Sequence, residues 1–124
     1  MKTFTLTVVV ALLAGCASLP SPEQAESADY GSYPENYESV VKAYYARVLK
    51  DPESARFGDI TSPRKYWLGS RFEGARYGYL VCASVNAKNS YGGYVGYRTD
   101  GLLIRNGSVV LPVEKGNWFG RQLC

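Results

Sequence analysis

A cluster of polar and aromatic side chains separates two apolar runs in the second half of the chain. Residues 86–94 read NAKNSYGGY and bring amide, ammonium, hydroxyl and phenol groups together around a glycine pair. Tyr91 and Tyr94 could stack on a sugar ring or a peptide, while the polar side chains donate hydrogen bonds. We hypothesise that this 86–94 loop binds a glycan or a peptide, and its candidate donors are Asn86, Lys88 and Asn89.

The same loop has a structural interpretation, which we favour. Glycine adopts positive φ readily, so Gly92 and Gly93 suit a hairpin turn, and Asn and Ser side chains can satisfy the backbone of such a turn. A phosphate cradle is not favoured, because no helix is predicted to follow the glycines and present its N-terminus.

A second candidate surface combines aromatic and basic residues. Trp118 and Arg121 lie in the segment WFGR, and residues 64–67 read RKYW. Tyr, Trp and Arg are common on recognition surfaces, which makes both segments candidate binding contacts. The alternative interpretation, a solvated charge beside a buried aromatic ring, is the one we favour for each.

The amino-acid composition argues against catalysis. The chain contains no histidine, which excludes His-dependent acid–base chemistry, Ser/His and Cys/His nucleophile pairs, and zinc sites that need imidazole. A Ser/Lys dyad of Ser90 and Lys88 is conceivable, but a turn does not force the two side chains together. We therefore predict no catalytic residue, no metal site and no cofactor, and do not expect an enzyme.

The first sixteen residues have the layout of an export signal. Lys2 precedes an apolar run, residues 4–14, that is too short to cross a bilayer, which takes about 20 residues. The segment Leu13-Ala14-Gly15-Cys16 resembles the bacterial lipobox, and this resemblance implies a signal peptide over residues 1–15 and a membrane anchor of acyl chains on Cys16. A plain signal peptide with an incidental cysteine is the alternative.

The residue after the lipobox cysteine bears on location. In Gram-negative lipoproteins, aspartate at that position is the usual signal for retention in the inner membrane, and here the position holds Ala17. The resemblance therefore implies a lipid-anchored protein of the outer membrane, with its domain on the periplasmic face.

Two cysteines remain once Cys16 is acylated. Exported proteins fold where oxidation is favoured, and two thiols permit a single intramolecular pairing. We predict a disulfide between Cys82 and Cys124. The alternatives are a buried free Cys82 with a frayed Cys124, or a bond from Cys124 to another molecule.

Charge is distributed unevenly along the chain. Residues 16–33 are rich in Ser, Pro, Ala and Glu, which predicts a disordered acidic tether. Residues 17–39 carry five acids and no base, whereas residues 40–124 carry thirteen bases and six acids, a net charge of +7. A basic domain suits an anionic envelope polymer or an acidic face of an envelope protein, while export separates the chain from nucleic acid.

Apolar residues at helical spacing follow the predicted tether. They predict an amphipathic helix over residues 34–50, ended by Asp51-Pro52. Asp51 is expected to cap a short second turn. The apolar positions are Tyr37, Val40, Val41, Tyr44, Tyr45, Val48 and Leu49.

Extended runs make up the rest of the chain. Candidate strands cover residues 66–72, 77–85, 94–104 and 108–113, and Asn106-Gly107 predicts a two-residue hairpin turn before the last strand. The expected fold is one α+β domain over residues 34–124, in which an amphipathic N-terminal helix packs on a small antiparallel sheet of four to five strands.

Two stretches carry a family resemblance. Residues 49–57, LKDPESARF, and residues 82–97, CASVNAKNSYGGYVGY, resemble small proteobacterial envelope lipoproteins of uncharacterised function, over about residues 34–111. The resemblance implies the fold and the envelope location, and it adds no catalytic residue. We expect a membrane-anchored periplasmic lipoprotein that binds or scaffolds another envelope component. The alternative is a periplasmic enzyme or enzyme inhibitor that uses the 86–94 loop.

Overall fold

A computed structural model describes residues 18–124, so the predicted signal peptide and Cys16 lie outside the described residues. Two short 3-10 turns, Pro52–Ser54 and Glu114–Gly116, accompany the main elements. Within the described range no helix is long and apolar enough to cross a membrane. The helices are α1 (Pro22–Glu26) and α2 (Tyr37–Val48), and the strands are β1 (Arg56–Ile60), β2 (Arg64–Ser70), β3 (Gly74–Asn86), β4 (Arg98–Arg105), β5 (Ser108–Val113), β6 (Asn117–Trp118) and β7 (Arg121–Gln122).

Strands β1 to β5 form one antiparallel sheet, which gives the domain its mixed α+β architecture. Strand β3 has 13 residues and lies at the centre of the sheet. One edge of β3 pairs with β4, and its other edge pairs first with β2 and then with β1. Strand β5 completes the sheet beyond β4, and β6 and β7 form a separate hairpin.

The sheet is buried on both faces. Side chains alternate between the faces of a strand, so neighbouring apolar residues of β3 and β4 enter two different clusters. On the helix face, Val81 and Leu102 pack with Val41 of α2. On the opposite face, Leu80 and Leu103 pack with Leu123 from the C-terminal segment. The helix therefore covers one face, and the C-terminal segment covers the other.

Helix α2 differs from the predicted N-terminal helix in position and length. It spans Tyr37–Val48, the next residue Leu49 has an extended ψ of 147°, and α1 precedes it in the chain. The expectation that this helix is the N-terminal element is thus wrong. The predicted cap by Asp51 is also wrong, because the Asp51 side chain makes no capping hydrogen bond and its carbonyl instead accepts from the hydroxyl of Ser54 at 2.7 Å.

The segment predicted as a disordered tether contains ordered structure within residues 18–33. Helix α1 begins with a capping box, in which the Ser21 hydroxyl accepts from the Gln24 backbone and the Gln24 side chain accepts from the Ser21 backbone. Such reciprocal bonds satisfy two backbone donors that a helix N-terminus otherwise leaves free. The spacing of Ser21 and Gln24 is the sequence signal for this helix start, but the acidic, polar composition of the segment favoured a prediction of disorder.

Tertiary contacts hold the end of this segment on the sheet. Tyr30 is buried and its ring meets Tyr77 of β3 edge-on, at 5.4 Å between centroids. The guanidinium of Arg105 donates to the carbonyl of Asp29 at 2.6 Å and approaches its carboxylate at 3.3 Å. Residues 29 and 30 are therefore part of the folded domain.

The predicted disulfide and hairpin turn are confirmed. Cys82 on β3 is bonded to Cys124, with Cα atoms 5.8 Å apart. Asn106 and Gly107 have φ of 50° and 79°, the positive values that a two-residue turn between β4 and β5 requires. Strand β4 begins at Arg98 rather than at Tyr94, since residues 94–97 belong to the loop before it.

Candidate functional site

The loop between β3 and β4 is held by its own asparagines. The carboxamide oxygen of Asn89 accepts from the backbone N–H of Tyr91 at 2.9 Å and of Gly93 at 3.2 Å. The carboxamide oxygen of Asn86 accepts from the N–H of Gly96 at 3.1 Å. Asn86 and Asn89, which we proposed as hydrogen-bond donors to a ligand, therefore use their amide oxygens to accept from the loop backbone, as the structural interpretation of these residues expects.

Tyr94 is fixed against neighbouring elements. Its hydroxyl donates to the carbonyl of Ser54 at 2.9 Å, and the guanidinium of Arg56 lies 4.2 Å from its ring centroid. The ammonium of Lys88 lies 5.6 Å from the same centroid, within the range of a cation–π contact. Tyr94 thus ties the loop to the turn before β1, and its ring already has two cationic neighbours.

Three apolar or aromatic side chains of this loop are more than half exposed. Tyr91 is 96% exposed, Val95 is 71% exposed and Tyr97 is 59% exposed. We call these three residues the loop tip. The bonds made by Asn86, Asn89 and Tyr94 hold the backbone beneath it, so the tip is presented on a fixed support.

A cationic groove of about 310 Å³ separates the loop from the carboxyl end of α2. Its lining includes the cations Lys50, Lys88 and Arg98 and a single acid, Glu114. Val48 and Val95 contribute exposed apolar surface to the same groove. The groove could hold an acidic side chain or another anionic group beside the loop tip.

A buried carboxylate that no sequence motif indicates lies under this groove. Asp100 is 3% exposed, and one of its oxygens accepts from the Tyr45 hydroxyl at 2.7 Å and from Nε of Arg98 at 3.2 Å. Its other oxygen accepts from the backbone N–H of Lys115 at 2.9 Å. Asp100 thereby orients Arg98 toward the groove. A lone acid beside the apolar residues 102–104 was the available signal.

The surroundings of Tyr45 change the pKa of its hydroxyl. Burial, and then the hydrogen bond to Asp100, raise the pKa of the Tyr45 hydroxyl well above its ordinary value of 10.0. The phenol therefore stays protonated and acts as a donor. The pKa of Tyr44 is raised too, by burial and by the negative charge of Asp100.

The second predicted surface forms the β6–β7 hairpin. Trp118 is half-buried against the cluster opposite α2, while Phe119 at the turn is 84% exposed. The guanidinium of Arg121 lies 5.6 Å from the ring centroid of Tyr66 and borders an open groove of about 440 Å³ between α1 and β2. A half-buried ring beside a solvated charge therefore describes this pair.

The two predicted surfaces lie on different parts of the domain. The 86–94 loop adjoins the carboxyl end of α2, whereas Trp118 packs on the opposite face of the sheet. Among residues 18–124, no group of three or more His, Cys, Asp and Glu side chains is placed to hold a metal ion. In the same residues every buried side-chain nitrogen or oxygen has a hydrogen-bond partner.

Comparison of the chain with protein-family models, curated proteins and solved structures finds no match.

Proposed function

We propose that this chain is a lipoprotein of the outer membrane, anchored through acyl chains on Cys16, and that its periplasmic domain binds another cell-envelope component. Binding takes place at the loop tip and the adjoining cationic groove. The partner presents an acidic protein face or belongs to an anionic envelope polymer. The resemblance of residues 49–57 and 82–97 to small proteobacterial envelope lipoproteins supports the location.

The observation that carries this proposal is the exposure of the loop tip on a fixed support. The Tyr91 side chain is 96% exposed, while the backbone N–H groups of Tyr91 and Gly93 are bonded to the side chain of Asn89. An exposed aromatic ring on an ordered backbone loses little conformational entropy on binding, which favours affinity. Exposed apolar surface of this kind commonly marks an interaction site.

Charge indicates which kind of partner fits. Three cations and one acid line the groove, and because Arg98 is paired with the buried Asp100, the excess positive charge there comes from Lys50 and Lys88. The domain over residues 40–124 carries a net charge of +7. A partner with carboxylate or phosphate groups would gain Coulombic attraction there, and the attraction would weaken as salt rises. The aromatic tip would then contact apolar parts of the same partner.

Site-specific photo-cross-linking in the intact envelope tests this function. A benzoyl-phenylalanine at position 91 should give one dominant cross-linked species, and the same probe at the exposed position 42 of α2 should not. The double substitution Lys50→Glu and Lys88→Glu should abolish the species, whereas the charge-matched control Lys42→Glu and Arg47→Glu should leave it. Equal cross-linking at positions 91 and 42 would contradict the proposed site.

Anchoring has a separate test. The mass of the mature protein should show an acylated Cys16 at its N-terminus, and Cys16→Ala should leave an unprocessed or soluble form. Normal processing and membrane retention of that variant would contradict the anchor without bearing on the binding site.

A periplasmic enzyme or inhibitor that uses the 86–94 loop is the alternative function. Such a protein would lose its activity on one polar substitution in the loop while keeping its partners.

A further inference from the structure

The N-terminal segment is docked close to one end of the sheet. A Cβ placed on Gly69, near the end of β2, would lie 3.1 Å from Cδ2 of Leu19. Further along, the Tyr30 hydroxyl donates to the carbonyl of Ala25 at 2.5 Å, and Arg105 holds Asp29. The folded domain therefore begins at about Leu19 rather than after residue 33.

This docking limits how far the domain can stand from an anchor on Cys16. Leu19 is three residues after Cys16. An extended chain advances at most about 3.6 Å per residue, so the two Cα atoms lie within about 11 Å of each other. A free tether of 17 residues would average roughly 23 Å end to end, with a stretched limit near 60 Å. The end of β2 is therefore kept near the bilayer.

An exposed phenylalanine projects from that same end. Residues 71–73 turn the chain from β2 into β3 immediately after Gly69 and Ser70, and Ser70 pairs with Gly74 across the turn. Phe72 at the centre of this turn is 96% exposed. A phenyl ring in water at a hairpin tip has no stabilising role in the fold, whereas the membrane interface accommodates it well.

We propose that the β2–β3 turn is a second membrane contact, in which Phe72 inserts into the interface of the bilayer that holds the acyl chains. The inference rests on the proposed acylation of Cys16. Insertion is driven by the apolar ring rather than by charge, because Arg71 and Glu73 flank Phe72 with opposite signs and α1 carries the acids Glu23 and Glu26. Zwitterionic lipid is therefore sufficient. The contact fixes the orientation of the domain on the membrane.

Depth-dependent fluorescence quenching tests this contact. The full-length protein is expressed with Phe72→Trp, purified in its acylated form and reconstituted into phosphatidylcholine vesicles with or without brominated phosphatidylcholine. Tyr91→Trp is the matched control, since Tyr91 is also 96% exposed and also lies in a loop. The wild-type protein supplies the background signal of Trp67 and Trp118.

The introduced tryptophan at position 72 should lose fluorescence in brominated vesicles, beyond the loss of the wild-type protein, and its emission should shift to shorter wavelength. The tryptophan at position 91 should show neither change. If acylated protein is quenched no more at position 72 than at position 91, the membrane contact is refuted while the anchor stands. If mass spectrometry shows no acyl chain on Cys16, both the anchor and this contact are refuted.

Discussion

The hydroxyl of Tyr45 on α2 donates a 2.7 Å hydrogen bond to the carboxylate of Asp100 on β4. Both residues are buried, and the second carboxylate oxygen accepts from the N–H of Lys115, in the turn that leads to the β6–β7 hairpin. One side chain therefore joins the helix, the sheet and the start of the C-terminal segment. Charged hydrogen bonds of this kind contribute more to stability than neutral ones.

Tyr45→Phe should lower the free energy of unfolding by about 1.5–3 kcal/mol, because it removes a hydrogen bond from a buried carboxylate. Urea unfolding under oxidising conditions measures the change. Tyr44→Phe is the neighbouring control, since the Asp100 oxygens are bonded to Tyr45, Arg98 and Lys115 rather than to Tyr44. Equal stabilities of the two variants would contradict the assigned role of the bond.

Stability should fall above pH 10, and Tyr45 should account for part of the fall. Its pKa is raised in the folded state, so the unfolded chain releases this proton near the ordinary value of 10.0 while the folded chain retains it. The contribution is complete below that pH and is lost as the pH rises, with a limiting slope of about 1.4 kcal/mol per pH unit. Unfolding free energies of wild type and Tyr45→Phe between pH 9 and 11 should converge, and parallel curves would refute this linkage.

Removal of the disulfide should cost about 4 kcal/mol in the chain-entropy model, given a sequence separation of 42 between Cys82 and Cys124. The double variant Cys82→Ser and Cys124→Ser and the reduced wild-type protein should unfold at similarly lowered urea concentrations. Alkylation of the non-reduced protein followed by mass spectrometry gives an independent check. Two alkylated thiols in freshly isolated protein would contradict the bond.

Gly78→Ala should destabilise the domain by about 1–3 kcal/mol through overpacking. A Cβ at this position would lie 2.5 Å from the carbonyl oxygen of Ile104, a backbone atom of the adjacent strand that cannot move away freely. Gly93→Ala is the matched control, because the nearest atom to its Cβ is 4.0 Å away. Thermal unfolding of both variants measures the difference. Comparable melting temperatures would show that β4 shifts to accommodate the added methyl group, which would contradict the expected overpacking.

The elements that the sequence predicts best are those with one continuous apolar pattern. Val40, Val41 and Tyr45 are buried as the helical spacing predicts, but Val48 from the same pattern is 51% exposed because the helix ends there. The disulfide was predicted by counting the two thiols that remain when acylation of Cys16 and export are expected. Helix α1 was missed although Ser21 and Gln24 have the spacing of a capping box, a signal that its polar composition outweighed.

Other features depend on contacts that no local pattern contains. Burial of Tyr30 requires Tyr77, and fixation of Tyr94 requires Ser54, 40 residues earlier in the chain. The turn-satisfying role of Asn89 could be predicted, because its partners are two and four residues away. The cationic groove could not be predicted, since Lys50, Lys88 and Arg98 meet only after α2 and the β3–β4 loop are placed side by side.

The central position of β3 has a consequence for local opening of the domain. Residues 74–80 of β3 pair with β2, residues 79–85 pair with β4 and residues 83–86 pair with β1, and Cys82 carries the disulfide. Separating any of these partners exposes part of β3, whereas β5 pairs with β4 alone and can open without disturbing β3. Amide protons of residues 79–83 should therefore exchange with solvent only through global unfolding, and those of α1 through local fluctuations.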